Sequence, residues 1–368
     1  MNPNSILGRY LIKQIIYSFL GVLLLVLGIV FMFEIIELLR KVSSRNDVDA
    51  IFILKMALAK LPRTIEMIFP FVMMIAAMIS FWRFSKTNEY VIIRAGGVSI
   101  WGFLKPVLIA TFFVGVINVT LVNPVSAYLY EVYETYEFRL KTKNPNAMIF
   151  TDMGLWIRES TDKDAVTVLQ AKKVRQEDDK ILLSGVSILE MDRLSQINRR
   201  IEGFIATLEN GKFNIKDVKI FKAGKPVEIL PNLDYKTTLT AERIKESFVD
   251  PEAISFWKLP GLISFYETAG FSVSKHYMRY WALIVSPFLF CAMVLVAAVF
   301  ALQANNRKGG VLYMIVGGIC AGFLVYFFSQ IIYAFGMNGY IPSLLAVWTP
   351  VLVVTMIAVS LLLHLEDG

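Results

Sequence analysis

With two histidines among 368 residues, this chain has little from which to build a catalytic centre. His276 stands beside Lys275, Tyr277, Arg279, Tyr280 and Trp281 at the start of an apolar run, where an interfacial belt accounts for it better than a ligand role does; His364 ends the last apolar run. The chain contains no GxxxxGK[ST] phosphate loop, no HExxH pair and no GxSxG elbow. A non-enzymatic role follows, with any energy source supplied from outside. The most specific local signal is Ser85-Lys-Thr-Asn-Glu-Tyr-Val-Ile-Ile-Arg-Ala-Gly-Gly97. Thr87 is placed to cap a helix, Glu89 falls in its first turn where the helix dipole favours a carboxylate, and Gly96-Gly97 can supply a left-handed stop. The spacing predicts a short helix lying across a membrane face. It is either an amphipathic connector or a coupling helix that plugs into a nucleotide-hydrolysing partner.

The elements around that segment are membrane spans. The chain is 56% hydrophobic with a mean hydropathy of +0.58, against about 45–50% apolar residues in soluble domains. Six runs, 11–33, 65–84, 100–122, 280–302, 311–335 and 344–363, each supply the roughly 20 residues that cross a bilayer as a helix. The first is too long for a signal-peptide core and lacks a small-x-small cleavage site, so it reads as an anchor. Arg307 and Lys308 fall between the fourth and fifth runs, while 336–343 carries no Lys or Arg. The positive-inside rule then puts 303–310 in the cytoplasm together with both termini and the 85–97 segment, and the large polar insert outside. Residues 34–64 run against this, with Arg40, Lys41, Arg45, Lys55, Lys60 and Arg63 on the outer side; interspersed acids mark them as helical extensions at the interface. The net charge of +7 is ordinary for basic inner loops and gives no argument for nucleic acid. Cys291 and Cys320 both lie within spans, leaving the insert to be stabilised by its own core.

The insert, 125–272, has a period of two. Stretches 154–159, 165–174, 180–192, 200–208 and 212–221 alternate β-branched and aromatic residues with polar ones, and Asn210-Gly211 is a hairpin signal. Short strands without helical periods between them predict an antiparallel sandwich or jelly roll. Residues 251–270 predict a helical lead back to the membrane. The fold class is therefore a polytopic α-helical membrane protein with six transmembrane helices and an inserted all-β, jelly-roll-like domain, divided as 1–124, 125–272 and 273–368.

Several motifs, in order along the chain, resemble the LptF/LptG permeases of lipopolysaccharide export. They are Ile6-Leu-Gly-Arg-Tyr10, Phe69-Pro-Phe71, Asn88-Glu-Tyr-Val-Ile-Ile-Arg-Ala-Gly-Gly97, Asn123-Pro124, Gly154-Leu-Trp156 and Asp250-Pro-Glu252. The short tail is more like the LptG half. The resemblance implies an inner-membrane half-permease that pairs with an LptF-like chain, sits on two LptB ATPase subunits, works with LptC and passes lipopolysaccharide toward LptA. It implies a periplasmic β domain, and no cofactor of the chain's own, ATP and Mg²⁺ belonging to the ATPase. Glu89, Tyr90 and Arg94 would then be the coupling residues, and the first and fifth helices the lateral gate.

The residues of that gate are Gly21 and Gly28 on one face of the first helix, Gly318-x-x-x-Gly322 on the fifth, and a stripe of Tyr326, Ser329, Gln330 and Tyr333. Small-residue stripes serve ordinary packing equally well, whereas the polar stripe is expected to face the bundle interior or a wet cavity. One departure from the family stands out. Where relatives often present basic side chains to lipid A phosphates, this chain has Glu34 and Glu37 before Arg40 and Lys41, and Glu131, Glu134 and Glu137 before Arg139 and Lys141. Phosphate recognition favours Arg and Lys. Three explanations are open: cations supplied by Arg40, Lys41, Arg139 and the partner, a substrate with different headgroup charges, or divalent ions bridging acid to phosphate. A permease for another amphipathic lipid or lipoprotein, and an anchored structural or sensory protein, are the rival readings.

Overall fold

The computed structural model describes residues 5–42, 49–141, 147–151, 154–162, 165–177, 180–192, 197–209, 211–222, 224, 226–237, 250–268, 273–303 and 310–367. The chain divides into two compact units, one of 1–133, 251–260 and 274–368, the other of 134–250 and 261–273.

The first unit is a helical bundle. Its helices are α1 (Ile6–Val42), α2 (Ala50–Lys86), α3 (Glu89–Ala95), α4 (Ile100–Ile117) and the start of α5 (Asn123–Lys141), then α7 (Ser274–Gln303), α8 (Gly310–Met337) and α9 (Ser343–Asp367). Among the described residues six helices, α4 and α5 counting as one, are long and apolar enough to cross a membrane. α1 and α2 extend the first two apolar runs to 37 residues each, so the basic stretch 34–64 is largely helical continuation, as its interspersed charges suggest. Most of the buried core comes from α2 and α7, which α4 and α9 cover. α1 and α8 remain largely exposed: Leu24, Met32 and Phe33 on the first and Leu312, Phe323 and Leu324 on the second all face outward.

Proline chemistry explains an irregularity between α4 and α5. Residues Asn118–Val122 form a π turn directly before Asn123-Pro124. Pro124 has no N–H to offer the Thr120 carbonyl one turn back, and the Trp257 indole donates to that carbonyl instead, at 3.3 Å.

Among its described residues the second unit contains one seven-stranded antiparallel sheet of β1 (Ala147–Thr151), β2 (Gly154–Asp162), β3 (Ala165–Glu177), β4 (Lys180–Asp192), β5 (Ile197–Glu209), β6 (Lys212–Lys222) and β7 (Glu228–Lys236). Each strand pairs with its sequence neighbour. This is a meander, whereas a jelly roll would cross between two sheets in Greek-key order. The meander encloses a core nonetheless, because it is creased. Pairing skips one residue on both partners at Lys172 and Gly185, at Gly185 and Phe204, and at Asp217 and Pro231, and the β5–β6 pairing is open at 203–204 against 217–218. The side-chain alternation reverses there. On β4 the buried residues are Ile181 and Leu183 before the crease and Val186 and Ile188 after it; on β6 they are Phe213 and Ile215, then Val218 and Ile220. Gly185 at φ +65° and Asp217 at φ +54° make the reversal, using the left-handed region that glycine and aspartate tolerate best. The helix α6 (Leu259–Thr268) adds Tyr266 to this core.

Candidate functional site

At one end of the bundle α2 runs into α3 through Thr87 and Asn88. Asn88 sits at φ 58° as the residue before the helix. Thr87 is therefore not the cap expected from the sequence: its hydroxyl shares its single hydrogen between the Arg83 carbonyl and Glu89 Oε1, both at 2.9 Å, closing α2. The stop at the other end of α3 comes from Gly97 at φ +80°, whereas Gly96 has an ordinary φ of −72°.

α3 is held to the bundle by three of its side chains. The Tyr10 hydroxyl of α1 donates to Glu89 Oε2 at 3.0 Å. Tyr90 packs edge-on against Phe103 of α4 with ring centroids 5.4 Å apart, and burial raises its hydroxyl above the ordinary pKa while Arg94 pulls the other way. Arg94 pairs with Glu366 of α9 at 3.6 Å, and Glu366 also accepts the Ile100 N–H at the start of α4, at 3.2 Å. The expected coupling residues thus face inward and fix the orientation of α3. The surface that α3 turns outward is apolar: Ile92 is 68% and Val91 52% exposed. Tyr10, Ile92 and Glu366 were not anticipated as site residues. Tyr10 and Ile92 both lay in flagged motifs, though Ile92 itself gave only the weak signal of an apolar residue on a seven-residue helix.

The opposite end holds a second set of charged residues. Glu34 of α1 is buried, accepts the Thr64 hydroxyl at 2.8 Å and pairs with Lys60 of α2 at 2.7 Å. Glu37 pairs with Lys41 at 2.8 Å and with Lys60 at 3.4 Å, and Lys60 lies over the Tyr133 ring. The two acids on α1 are thus engaged by lysines of this chain, and Arg40 stands exposed beside them. Arg139 belongs to α5, but its side chain lies outside the described residues, as do Arg307 and Lys308. Among the described residues no three His, Cys, Asp or Glu side chains gather as a metal site would require.

Deeper at the same end is a buried ion network. Glu66 Oε1 accepts from Arg279 of α7 at 2.9 Å and from the Asn123 amide at 3.0 Å. Arg63 lies 3.9 Å from the other Glu66 oxygen and donates through Nε to Glu252 at 2.9 Å, with a second contact from its terminal nitrogen. Asn123 Oδ1 accepts the Phe256 N–H at 2.8 Å. Burial works against ionisation of Glu252, yet the bonded and charged Arg63 overcomes it and holds the carboxyl below its usual range. Removing one member of such a set typically costs about 3–5 kcal/mol, because its partner is left charged and dry. Charges at 63 and 66 within an otherwise apolar stretch were the sequence signal for it. His276, expected in an interfacial belt, is buried at 4% exposure.

Between α2 and α8 runs an open apolar groove of about 490 Å³, lined by Met67, Phe71, Met74, Ile75, Met78, Ile319, Phe323 and Tyr326 among others. The glycines on α8 serve this packing: a Cβ at Gly318 would lie 2.3 Å from Met78 Cε, and one at Gly322 2.7 Å from Met74 Cε. Among the described residues nothing lies within 4 Å of a Cβ added at Gly21 or Gly28, so α1 turns that face away from the described part of the bundle. Tyr326 touches Phe71 at the groove, with ring centroids 5.7 Å apart. Gln330 is exposed. The polar stripe is thus divided on this peripheral helix, with Gln330 exposed, Ser329 and Tyr333 half-buried, and Tyr326 against α2.

The family described as lipopolysaccharide export system permease LptF/LptG matches residues 9–364. The lipopolysaccharide export system permease protein LptG of Escherichia coli strain K12 is 21% identical over 367 residues, covering 95% of this chain and 96% of its own length. The protein of the same description from Haemophilus influenzae is 21% identical over 360 residues, covering 94% of each.

Proposed function

Because this chain belongs to the LptF/LptG family and is a permease subunit of lipopolysaccharide export, we propose that it is the LptG-like half of that permease and that α3 is its socket for a partner ATPase. The carrying observation is the construction of α3: Glu89, Tyr90 and Arg94 tie it to α1, α4 and α9, while Val91 and Ile92 are offered outward. A helix braced on three neighbours passes on a push, and an exposed apolar ridge fills a groove on another protein. In this reading α3 and both termini are cytoplasmic, the sheet is periplasmic, and ATP and Mg²⁺ are held by two LptB subunits. An LptF-like chain covers the bare faces of α1 and α8, and LptC and LptA receive the lipid.

The groove between α2 and α8 suits acyl chains, its walls being almost wholly apolar. The exposed Arg40 supplies a cation for an anionic headgroup near the acids of α1, which Lys60 and Lys41 neutralise. Glu34 and Glu37 then act as internal braces between α1 and α2, so phosphate recognition needs neither bridging metal nor an altered substrate.

The test is co-purification. Ile92→Asp, with Glu89→Ala beside it, is expected to insert in the membrane normally but to lose the ATPase subunit or its stimulation. A variant complex that assembles and exports lipid at the parental rate would sink the reading.

A further inference from the structure

The motifs Asn123-Pro124 and Asp250-Pro-Glu252 flank the inserted sheet in the chain. One lies where the chain leaves the bundle for the inserted sheet, the other where it returns. Their side chains meet on the same turn of α2. The Asn123 amide donates to Glu66 and its oxygen accepts the Phe256 N–H, so a single residue ties the outgoing chain, the returning chain and α2 together. Arg63, one turn from Glu66, grips Glu252 through two nitrogens, and Arg279 joins the set from α7. Trp257 adds a bond from the returning chain to Thr120 on the outgoing one.

We propose that this network is a transmission joint, in which Arg63 and Glu66 hold both chain connections of the inserted sheet so that displacement of α2 reaches them together. α2 is an unbroken helix from this network to Lys86, where it leads into α3; from Glu66 to Lys86 the path is about 30 Å at ~1.5 Å per residue. The prolines of α2, Pro62 and Pro70, bracket the gripped turn. Pro70 has no N–H for the Glu66 carbonyl, so the backbone is weakest where the side chains are bonded outward, and those bonds brace it. Stability alone does not call for such a set, since apolar residues of similar volume commonly serve as well as buried ions. Ionisable groups inside a membrane bundle more often mark moving parts.

The inference rests on the reading of α3 as the ATPase socket, and the experiment separates the two. The full permease complex with its ATPase is reconstituted in proteoliposomes containing lipopolysaccharide, and ATP hydrolysis and lipid released per ATP are measured for Glu252→Gln and Asn123→Ala. Hydrolysis is expected within about twofold of the parent and release per ATP down by roughly tenfold, the signature of an interaction that acts on coupling alone. Should Glu252→Gln fail to assemble, Arg63→Lys keeps the charge, loses the fork geometry and is scored by the same two measurements. Release unchanged, or release and hydrolysis falling together in proportion to assembled complex, overturns the joint. Loss of the ATPase from the unmutated complex would instead sink the socket reading.

Discussion

Replacing glycine by leucine at 28 and at 318 should give opposite results, although both glycines stand on small-residue stripes of peripheral helices. At Gly318 an added Cβ sits 2.3 Å from Met78 Cε and 2.6 Å from its sulfur, where carbon contacts settle at about 3.5–4 Å. The methionine end must move by more than about 1 Å, and a leucine then asks for further room between α2 and α8. Overpacking of this kind costs about 1–3 kcal/mol, equivalent to roughly 5- to 150-fold in a folding equilibrium at about 1.4 kcal/mol per factor of ten. Gly28 has none of the described residues within 4 Å of an added Cβ, so the same change should alter the stability of the chain by no more than about 0.5 kcal/mol. Thermal unfolding of the chain purified without partners measures both. Photo-crosslinking of lipid to position 33, on the exposed side of α1, then reads loading in the full complex, where Gly28→Leu is expected to interfere and to leave basal ATP hydrolysis unchanged. Equal destabilisation by the two substitutions in the isolated chain would refute this reasoning, since it would mean that α1 packs its Gly28 face against the chain.

Tyr235 gives a pH dependence. Burial pushes its hydroxyl up to about 12, with Thr167 beside it at 3.2 Å opposing the shift. The folded state therefore keeps a proton that the unfolded chain gives up near pH 10. Stability of the sheet is expected to be unaffected by this group below pH 10 and to fall as pH rises from 10 toward 12; in Tyr235→Phe that component should be absent from circular dichroism melts. Topology is checked by single cysteines at Asn214 and Lys86 in a chain lacking Cys291 and Cys320. An impermeant maleimide applied to spheroplasts should label position 214, and position 86 only after permeabilisation; the reverse pattern would invert the orientation.

The apolar spans were legible because length and hydropathy alone decide them, and the boundaries fell short only where charged residues such as Arg40 and Lys41 prolong a helix past the hydrocarbon. Five strands were visible from alternation. β1 and β7 were not: 147–151 has no polar alternation, and Pro231 interrupts the pattern of 228–236. The crease left a trace in the sequence that a strict period of two hides. In both Ile181-Leu-Leu-Ser-Gly-Val-Ser-Ile188 and Phe213-Asn-Ile-Lys-Asp-Val-Lys-Ile220 the apolar residues change parity halfway, and a glycine or aspartate stands at the change. At the sites, charge type was readable and direction was not. Glu89 and Arg94 were identified as the charged residues of α3, but their bonds to Tyr10 and Glu366 depend on helices far apart in sequence. Likewise the pairing of the acids at 34 and 37 with Lys60 joins two helices and could not be read from either alone.

The crease also constrains how this sheet can change over generations. Its reversal occurs at matched positions on neighbouring strands, so a residue lost or gained on one strand alone would turn half of that strand's apolar residues to the outside. Length changes in this insert should therefore be inherited at the hairpin tips, or in step across adjoining strands, and the parity change should persist in relatives whose side chains have otherwise drifted. A lineage in which one inner strand gains a single residue, with its neighbours unaltered, would have to fold this domain in some other way.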